Sequence, residues 1–195
     1  MSRKKLIDSS CYPDIDTLQA LSVKINCINE NEEIIEHGTG TLFANNGSYY
    51  VVTAAHCILN NITKSFYDKR YIQISLPHIC KTLIEVNEIL EFNSDDDADF
   101  ALLSVNLDID SFPINFDYEN DIQFIAKDEF CTNTCFYGYT SSEPTGRMFR
   151  ARMVSTNTYE VEENAISATG ADFSRVMKGS SGGGIFVEYE NRIFC

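Results

Sequence analysis

Short runs in which apolar and polar residues alternate recur along the chain, and turn signals separate them. Alternation with a period of two is typical of β-strands that turn one face toward a core. The strands predicted in this way are Thr17–Ile28, Ile34–Phe43, Tyr49–Thr53, Tyr71–Leu76, Leu83–Leu90, Phe100–Val105, Thr134–Tyr139, Arg147–Ser155, Ala165–Thr169 and Gly184–Tyr189. Their regular spacing favours an all-β barrel or sandwich over alternating βαβ units.

The segments between these strands suggest how the chain is organised. Asn45-Asn46-Gly47 predicts a tight hairpin between the second and third strands. Within the second strand, Gly38-Thr39-Gly40 indicates a bend or a close backbone approach, because glycines inside strands mark such places. One short helix is predicted, over Ala54–Leu59. Residues 1–16 are expected to form an arm, and the acidic segment Asp108–Asp121 is expected to connect two halves of one domain.

Length and charge limit the function. A chain of 195 residues with 44% hydrophobic side chains can form one large all-β domain or two small subdomains. Nucleic-acid binders need clustered Lys and Arg, so a net charge of −14 argues against nucleic acid as a partner. No apolar run approaches the roughly 20 residues that span a bilayer, and the basic N-terminus lacks the apolar stretch of a signal peptide. We therefore expect a cytoplasmic protein with no membrane partner.

The number of cysteines also favours a cytoplasmic location. Their number, seven, is odd, whereas secreted frameworks normally pair all of their thiols. The alternative to reduced, buried thiols is a zinc site made from His78, Cys80, Cys131 and Cys135. The spacings His78-x-Cys80 and Cys131-x3-Cys135 are looser than those of structural zinc sites. We therefore expect no metal and no other cofactor.

Three motifs supply candidate chemistry, in the chain order histidine, aspartate, serine. His56 follows a buried strand, Asp99 begins an apolar strand, and Ser181 lies in a glycine-rich turn. A serine hydroxyl needs a base to take its proton, and the base needs a carboxylate to fix its tautomer. A lone histidine near a strand end is more often structural, but the two companion motifs favour a catalytic triad. The neighbouring Asp95-Asp96-Asp97 is expected to be a solvated loop.

The motifs resemble those of the trypsin/chymotrypsin superfamily of serine proteases. Thr53-Ala54-Ala55-His56-Cys57 is similar to the histidine signature, Asp99-Phe100-Ala101-Leu102-Leu103 to the aspartate strand, and Gly179-Ser180-Ser181-Gly182-Gly183 to the Gly-x-Ser-Gly-Gly nucleophile loop. The resemblance implies two packed antiparallel β-barrels with the active site between them. The protease domain would span residues 17–195, with a first barrel at about 17–107 and a second, possibly incomplete, at about 121–195.

The resemblance also implies a role for each residue. Ser181, rather than its neighbour Ser180, would attack the carbonyl of a protein or peptide substrate, and the N–H groups of Gly179 and Ser181 would form the oxyanion hole. Arg175 would lie at the floor of the specificity pocket, where it would favour an acidic substrate residue. The alternative is that Arg175 reaches solvent or pairs with Asp172. No aspartate lies at the floor position, so a preference for Lys or Arg is not expected.

The sequence departs from digestive proteases at three points, of which the first two resemble intracellular and bacterial members, including the HtrA-like branch. Cys57 has no predicted disulfide partner, because Thr41 occupies roughly the place of the partner cysteine. Ser180 replaces the aspartate that pairs with a freed N-terminus on activation. Few residues follow Ser181, so a further part of a longer protein, or a partner, is expected to complete the last strands.

Two other functions remain open. The same fold can serve as a binding or regulatory module whose triad is idle. A cytosolic esterase would use the same triad on a small ester.

Overall fold

A computed structural model describes residues 5–7, 12–60, 62–95, 98–108, 117–119, 122–123, 129–131, 133–140, 145–155, 158–162, 179–184, 186–189 and 192–195. Strands predominate in these ranges. The elements in chain order are β1 (Lys5–Ile7), α1 (Ile15–Leu21), β2 (Ser22–Ile28), β3 (Ile34–Asn45), β4 (Ser48–Thr53), β5 (Ile72–Leu76), β6 (Cys80–Asp95), β7 (Ala98–Asn106), β8 (Ile122–Gln123), β9 (Glu129–Cys131), β10 (Asn133–Gly138), β11 (Arg147–Ser155), β12 (Thr158–Glu162), β13 (Val187–Tyr189) and β14 (Arg192–Phe194). Two 3₁₀ turns lie at Ala55–Cys57 and Lys69–Tyr71.

The first half of the chain forms a closed six-stranded antiparallel barrel in the order β2-β3-β4-β7-β6-β5. The predicted hairpin is confirmed, since Asn46 and Gly47 both have positive φ between β3 and β4, as a two-residue hairpin turn requires. Successive side chains of a strand point to opposite faces, so every second residue lies in the barrel interior, and most of these residues are apolar. This explains why the sequence pattern has a period of two. Interior residues include Val23, Ile25, Leu42, Val51, Ile74, Leu76, Ala101 and Leu103, all fully buried.

The second half is built from shorter sheets. β10-β11-β12 is antiparallel, and β13-β14-β8 combines an antiparallel with a parallel pairing. A bridge between Cys135 and Phe186 joins these two sheets, with hydrogen bonds from Cys135 N to Phe186 O (2.9 Å) and from Phe186 N to Cys135 O (2.6 Å). β1 pairs with β9 in a separate parallel ribbon. Among the described strands, only β2 to β7 form a closed barrel. The prediction of all-β structure is confirmed, while the arrangement of two packed barrels stays a prediction.

The predicted strand Thr17–Ile28 is wrong in its first part. Residues Ile15–Leu21 form α1, so the helix also begins inside the predicted N-terminal arm. The Asp14 side chain caps this helix by accepting a hydrogen bond from Thr17 N (2.8 Å). Leu18 and Leu21, three positions apart, share one buried face. The sequence of this segment fits a strand pattern and a helix pattern, and the cap favours the helix.

Other predicted boundaries shift by a few residues. The helix expected over Ala54–Leu59 is only the three-residue 3₁₀ turn, and it is not the sole helix. β6 extends well beyond Leu83–Leu90 on both sides and ends at Asp95, so that residue is in a strand and not in a loop. The expected strand at Gly184 begins at Val187. The strand predicted over Ala165–Thr169 lies outside the described residues.

Within the described ranges, no helix is both long enough and apolar enough to cross a membrane.

Candidate active site

Strand pairing in the barrel brings His56 and Asp99 together. β4 ends at Thr53, and His56 lies in the 3₁₀ turn that follows. Thr53 pairs with Ala101 of β7, so Asp99, two residues earlier on that strand, lies beside the turn. Two neighbouring antiparallel strands thus bring together residues that are 43 positions apart in the sequence.

Asp99 contacts His56 through both carboxylate oxygens. His56 N donates to Asp99 Oδ1 at 3.0 Å, and His56 Nδ1 forms a short contact with Asp99 Oδ2. Partial burial raises the pKa of Asp99, but the hydrogen bonds from His56 outweigh it and hold that pKa below its ordinary value. Asp99 is therefore ionised at neutral pH. The side chains remain 52% and 41% exposed for His56 and Asp99, so the pair is accessible from solvent.

The turn Gly179–Gly182 lies directly on the barrel. Ser181 O accepts hydrogen bonds from Thr39 N (2.9 Å) and Cys57 Sγ (3.4 Å). A side chain at Gly182 would overlap the Thr39 carbonyl and the Thr53 hydroxyl, so a residue without a Cβ lets the turn come this close. Because Cys57 directly follows His56, the Ser181 backbone is held against the turn that carries the imidazole.

The two predicted oxyanion donors lie in this same turn. Gly179 has a φ of +100°, a conformation that favours glycine, and a Cβ there would overlap the His37 ring. Within the described part of the chain, no group accepts a hydrogen bond from the backbone N–H of Gly179 or Ser181.

The side chain of Ser181 is exposed, and no hydrogen bond joins its Oγ to the His56 ring, although both residues are described. Such hydrogen bonds are often long before substrate binds and shorten in the reactive complex. The structure therefore brings the Ser181 backbone to the His56 turn, while the proton-transfer contact itself is not formed.

The position that faces Cys57 is Gly38, and the prediction of Thr41 there is wrong. A Cβ added at Gly38 would overlap Cys57 Sγ, whereas Thr41 pairs with Ser22 and Val52 elsewhere on the barrel. Cys57 is a free, buried thiol, and so are Cys27 and Cys135. Burial raises the pKa of the Cys57 thiol to about 12, so it is a neutral donor to Ser181 O and not a competing nucleophile.

The other candidate residues take different places. Arg175 and Asp172 lie outside the described residues, so the specificity pocket stays a prediction. His78 contacts the carbonyl of Thr145 and the hydroxyl of Tyr137 (3.0 Å). Among the described residues, no three His, Cys, Asp or Glu side chains are grouped as metal ligands.

Sequence reasoning missed the role of Thr39. Its hydroxyl accepts from Tyr139 N at 3.0 Å and donates to Gly179 O at 2.8 Å, and its carbonyl accepts from Thr53 Oγ1 at 2.7 Å. The glycines on both sides of Thr39 were the available signal, because they indicated a close backbone approach. They did not indicate what approaches.

No protein-family model matches the chain, and a comparison with curated proteins gave no significant match. Its function has therefore to be inferred from the geometry of the site together with the three motifs.

Proposed function

We propose that the chain is a serine endopeptidase that uses His56, Asp99 and Ser181. The observation that carries this proposal is the pairing of His56 with Asp99. Asp99 contacts His56 Nδ1, which directs the proton on that ring to Nδ1 and leaves Nε2 as the basic nitrogen. A base with a fixed tautomer, beside a turn that holds an exposed serine, is the arrangement that nucleophilic catalysis needs.

The reaction would proceed in two halves. Ser181 Oγ forms a bond to the substrate carbonyl carbon while its proton moves to His56 Nε2, and Asp99 stabilises the charged ring. The tetrahedral intermediate then collapses, the C–N bond breaks, and His56 returns the proton to the leaving amine. Water attacks the remaining ester by the same route and frees Ser181. The amides of Gly179 and Ser181 would stabilise the oxyanion in both halves.

We also propose that the second half is the open counterpart of the closed barrel, in a fold of the trypsin/chymotrypsin kind. The bridge between Cys135 and Phe186 supports this proposal, because it links two three-stranded sheets into the order β12-β11-β10-β13-β14-β8. That arrangement contains six strands, as the first barrel does. The candidate site lies where this half meets the first.

Labelling with a fluorophosphonate probe tests the enzyme proposal, because only an activated serine reacts rapidly with it. We expect the wild type to be labelled at Ser181, and we expect Ser181→Ala and His56→Ala to lose labelling almost completely, since triad members act as a unit. Ser180→Ala is the matched control and should keep labelling. Wild-type labelling that persists in Ser181→Ala would refute the assignment of the nucleophile.

A binding or regulatory module with an idle triad is the second candidate. The missing hydrogen bond between Ser181 Oγ and His56 favours it. A folded wild type that does not react with the probe, while it still binds a peptide, would support this module over the enzyme. Labelling by the probe together with hydrolysis of small esters but not of peptides would instead indicate an esterase.

A further inference from the structure

Thr39 holds the Gly179–Ser181 turn at two points. Its backbone N–H donates to Ser181 O (2.9 Å) and its hydroxyl donates to Gly179 O (2.8 Å). The side chain is fully buried in β3, which belongs to the closed barrel. One residue of the barrel therefore fixes the carbonyls at the first and third positions of the turn.

The hydroxyl of Thr39 has a defined direction. Because it accepts a hydrogen bond from Tyr139 N (3.0 Å), its own hydrogen is free to point toward Gly179 O. The result is a chain from amide to hydroxyl to carbonyl, in which each hydrogen bond polarises the next. Tyr139 and Gly179 are both buried, so water does not readily replace this hydroxyl.

The carbonyls that Thr39 fixes set the direction of the neighbouring amides. A peptide plane is rigid, so fixing Gly179 O also fixes the plane that leads into Ser180. With Ser181 O fixed as well, little freedom remains for the Ser181 N–H between the two anchors. The peptide plane between these two anchors carries both the Ser181 N–H and Ser180 O, and Ser180 O accepts a hydrogen bond from Gly183 N (3.1 Å). Thr39 therefore holds, from the barrel side, a turn that also has an internal hydrogen bond.

We propose that the Thr39 hydroxyl is a positioning group that keeps the N–H donor of Ser181 ready for the oxyanion. This inference depends on the proposed function, since it assigns a role within the same site. Thr39 acts on the acylation step by holding the turn that carries this amide.

Thr39→Val tests the proposal, because valine keeps the branched shape of threonine and replaces only the hydroxyl, by a methyl group that cannot form hydrogen bonds. Thr41→Val is the matched control. Thr41 lies on the same strand and is equally buried, and no described residue forms a hydrogen bond with its hydroxyl. The measurement is the acylation rate constant kinact and the binding constant KI of the fluorophosphonate, for protein shown to be folded by its Tm.

We expect Thr39→Val to lower kinact by about tenfold to a hundredfold, somewhat less than the loss of an oxyanion donor itself. KI should stay within about twofold of the wild type, because the probe still reaches an open site. Thr41→Val should react as the wild type does. A merely structural role would lower Tm and leave kinact unchanged in the folded protein, and that result would overturn the proposal.

A second pair of variants keeps the test decisive if Thr39→Val does not fold. Thr39→Ser and Thr39→Ala differ only by the hydroxyl, and we expect the serine variant to react at least about tenfold faster. Equal rates for the two would contradict the proposal. A wild type that is folded but never labelled would refute the proposed function first, whereas a labelled wild type with an unaffected Thr39→Val would refute this inference alone.

Discussion

The strands are arranged differently in the two halves of the molecule. In the first half, every strand from β2 to β7 has two antiparallel neighbours, and the ring is complete. In the described part of the second half, the strands pair in two three-stranded sheets, and a bridge between Cys135 and Phe186 joins these sheets. In a closed barrel each strand can form backbone hydrogen bonds on both sides, whereas an open sheet has edge strands with unpaired N–H and C=O groups.

The difference explains how the candidate site is assembled. His56 and Asp99 both belong to the closed barrel, and they already contact each other there. Ser181 belongs to the second half, yet its backbone forms hydrogen bonds with Thr39 and Cys57 of the barrel. The barrel therefore supplies one part of the site and holds the other part in place.

Truncation of buried side chains should show whether the two halves unfold independently, and its effect on stability is the largest that we expect. Ile74→Ala removes a fully buried side chain of the barrel and should lower the free energy of unfolding by about 2–5 kcal/mol. Phe186→Ala, at an equally buried position, should instead raise amide exchange at Cys135 while amides of β2–β7 keep their protection. Hydrogen exchange in increasing urea measures both. If Phe186→Ala unfolds the barrel as well, the halves form one cooperative unit.

A methyl group at Gly182 should disturb the contact between the halves, with a smaller effect. The backbone of Gly182 has a φ of +83°, and a Cβ would overlap Thr39 O and lie 2.6 Å from Ala54 N. Strain of this kind costs about 1–3 kcal/mol, which should slow probe labelling at least tenfold in Gly182→Ala. Gly47→Ala is the control, because Gly47 also has positive φ but has open space around it. It should cost about 1 kcal/mol of stability and leave labelling unchanged.

Acid should weaken the His56–Asp99 pair, and this is the smallest effect. The pKa of Asp99 is lower in the folded protein than its ordinary value of 3.8. The carboxylate therefore stabilises the fold fully above that value, and its contribution is lost as the pH falls through the lower, folded pKa. Partial exposure limits the effect to less than about 1 kcal/mol. Urea unfolding between pH 2 and pH 6 should show a shallower acid dependence for Asp99→Asn than for the wild type, and identical slopes would contradict this.

The strands of the barrel were predictable from sequence because their signals are local. The Asn46-Gly47 turn and the alternation of Ile72–Leu76 each depend on only a few neighbouring residues. The same pattern left a barrel and a sandwich open, because closure depends on pairings between strands that are distant in the sequence, such as β4 with β7. The grouping of His56 with Asp99 was predicted from the order of the three motifs and from their resemblance to a known family, and the pairing of β4 with β7 is what brings the two residues together. The segment before the barrel was mispredicted because its alternation was weighed without the helix-start signal of Asp14, which caps α1.

The contacts that position Ser181 could not be predicted in this way. The hydrogen bond from Thr39 to Gly179 joins residues 140 positions apart, and neither the strand pattern nor the glycine-rich motif specifies its partner. The prediction that Thr41 faces Cys57 failed for a similar reason, since Gly38 occupies that position. That position depends on how the 3₁₀ turn folds back over β3, and that is a property of the tertiary packing.

The great sequence distance between Thr39 and its partners also has a consequence during protein synthesis. Chains emerge from the ribosome N-terminus first, and domains fold as units while synthesis continues. A growing chain that has passed Asn106 can complete the barrel and, with it, the pair of His56 and Asp99. The proposed nucleophile does not yet exist at that stage. We therefore expect covalent reactivity to begin only after the barrel has folded and the Gly179–Ser181 turn has formed its hydrogen bonds with Thr39.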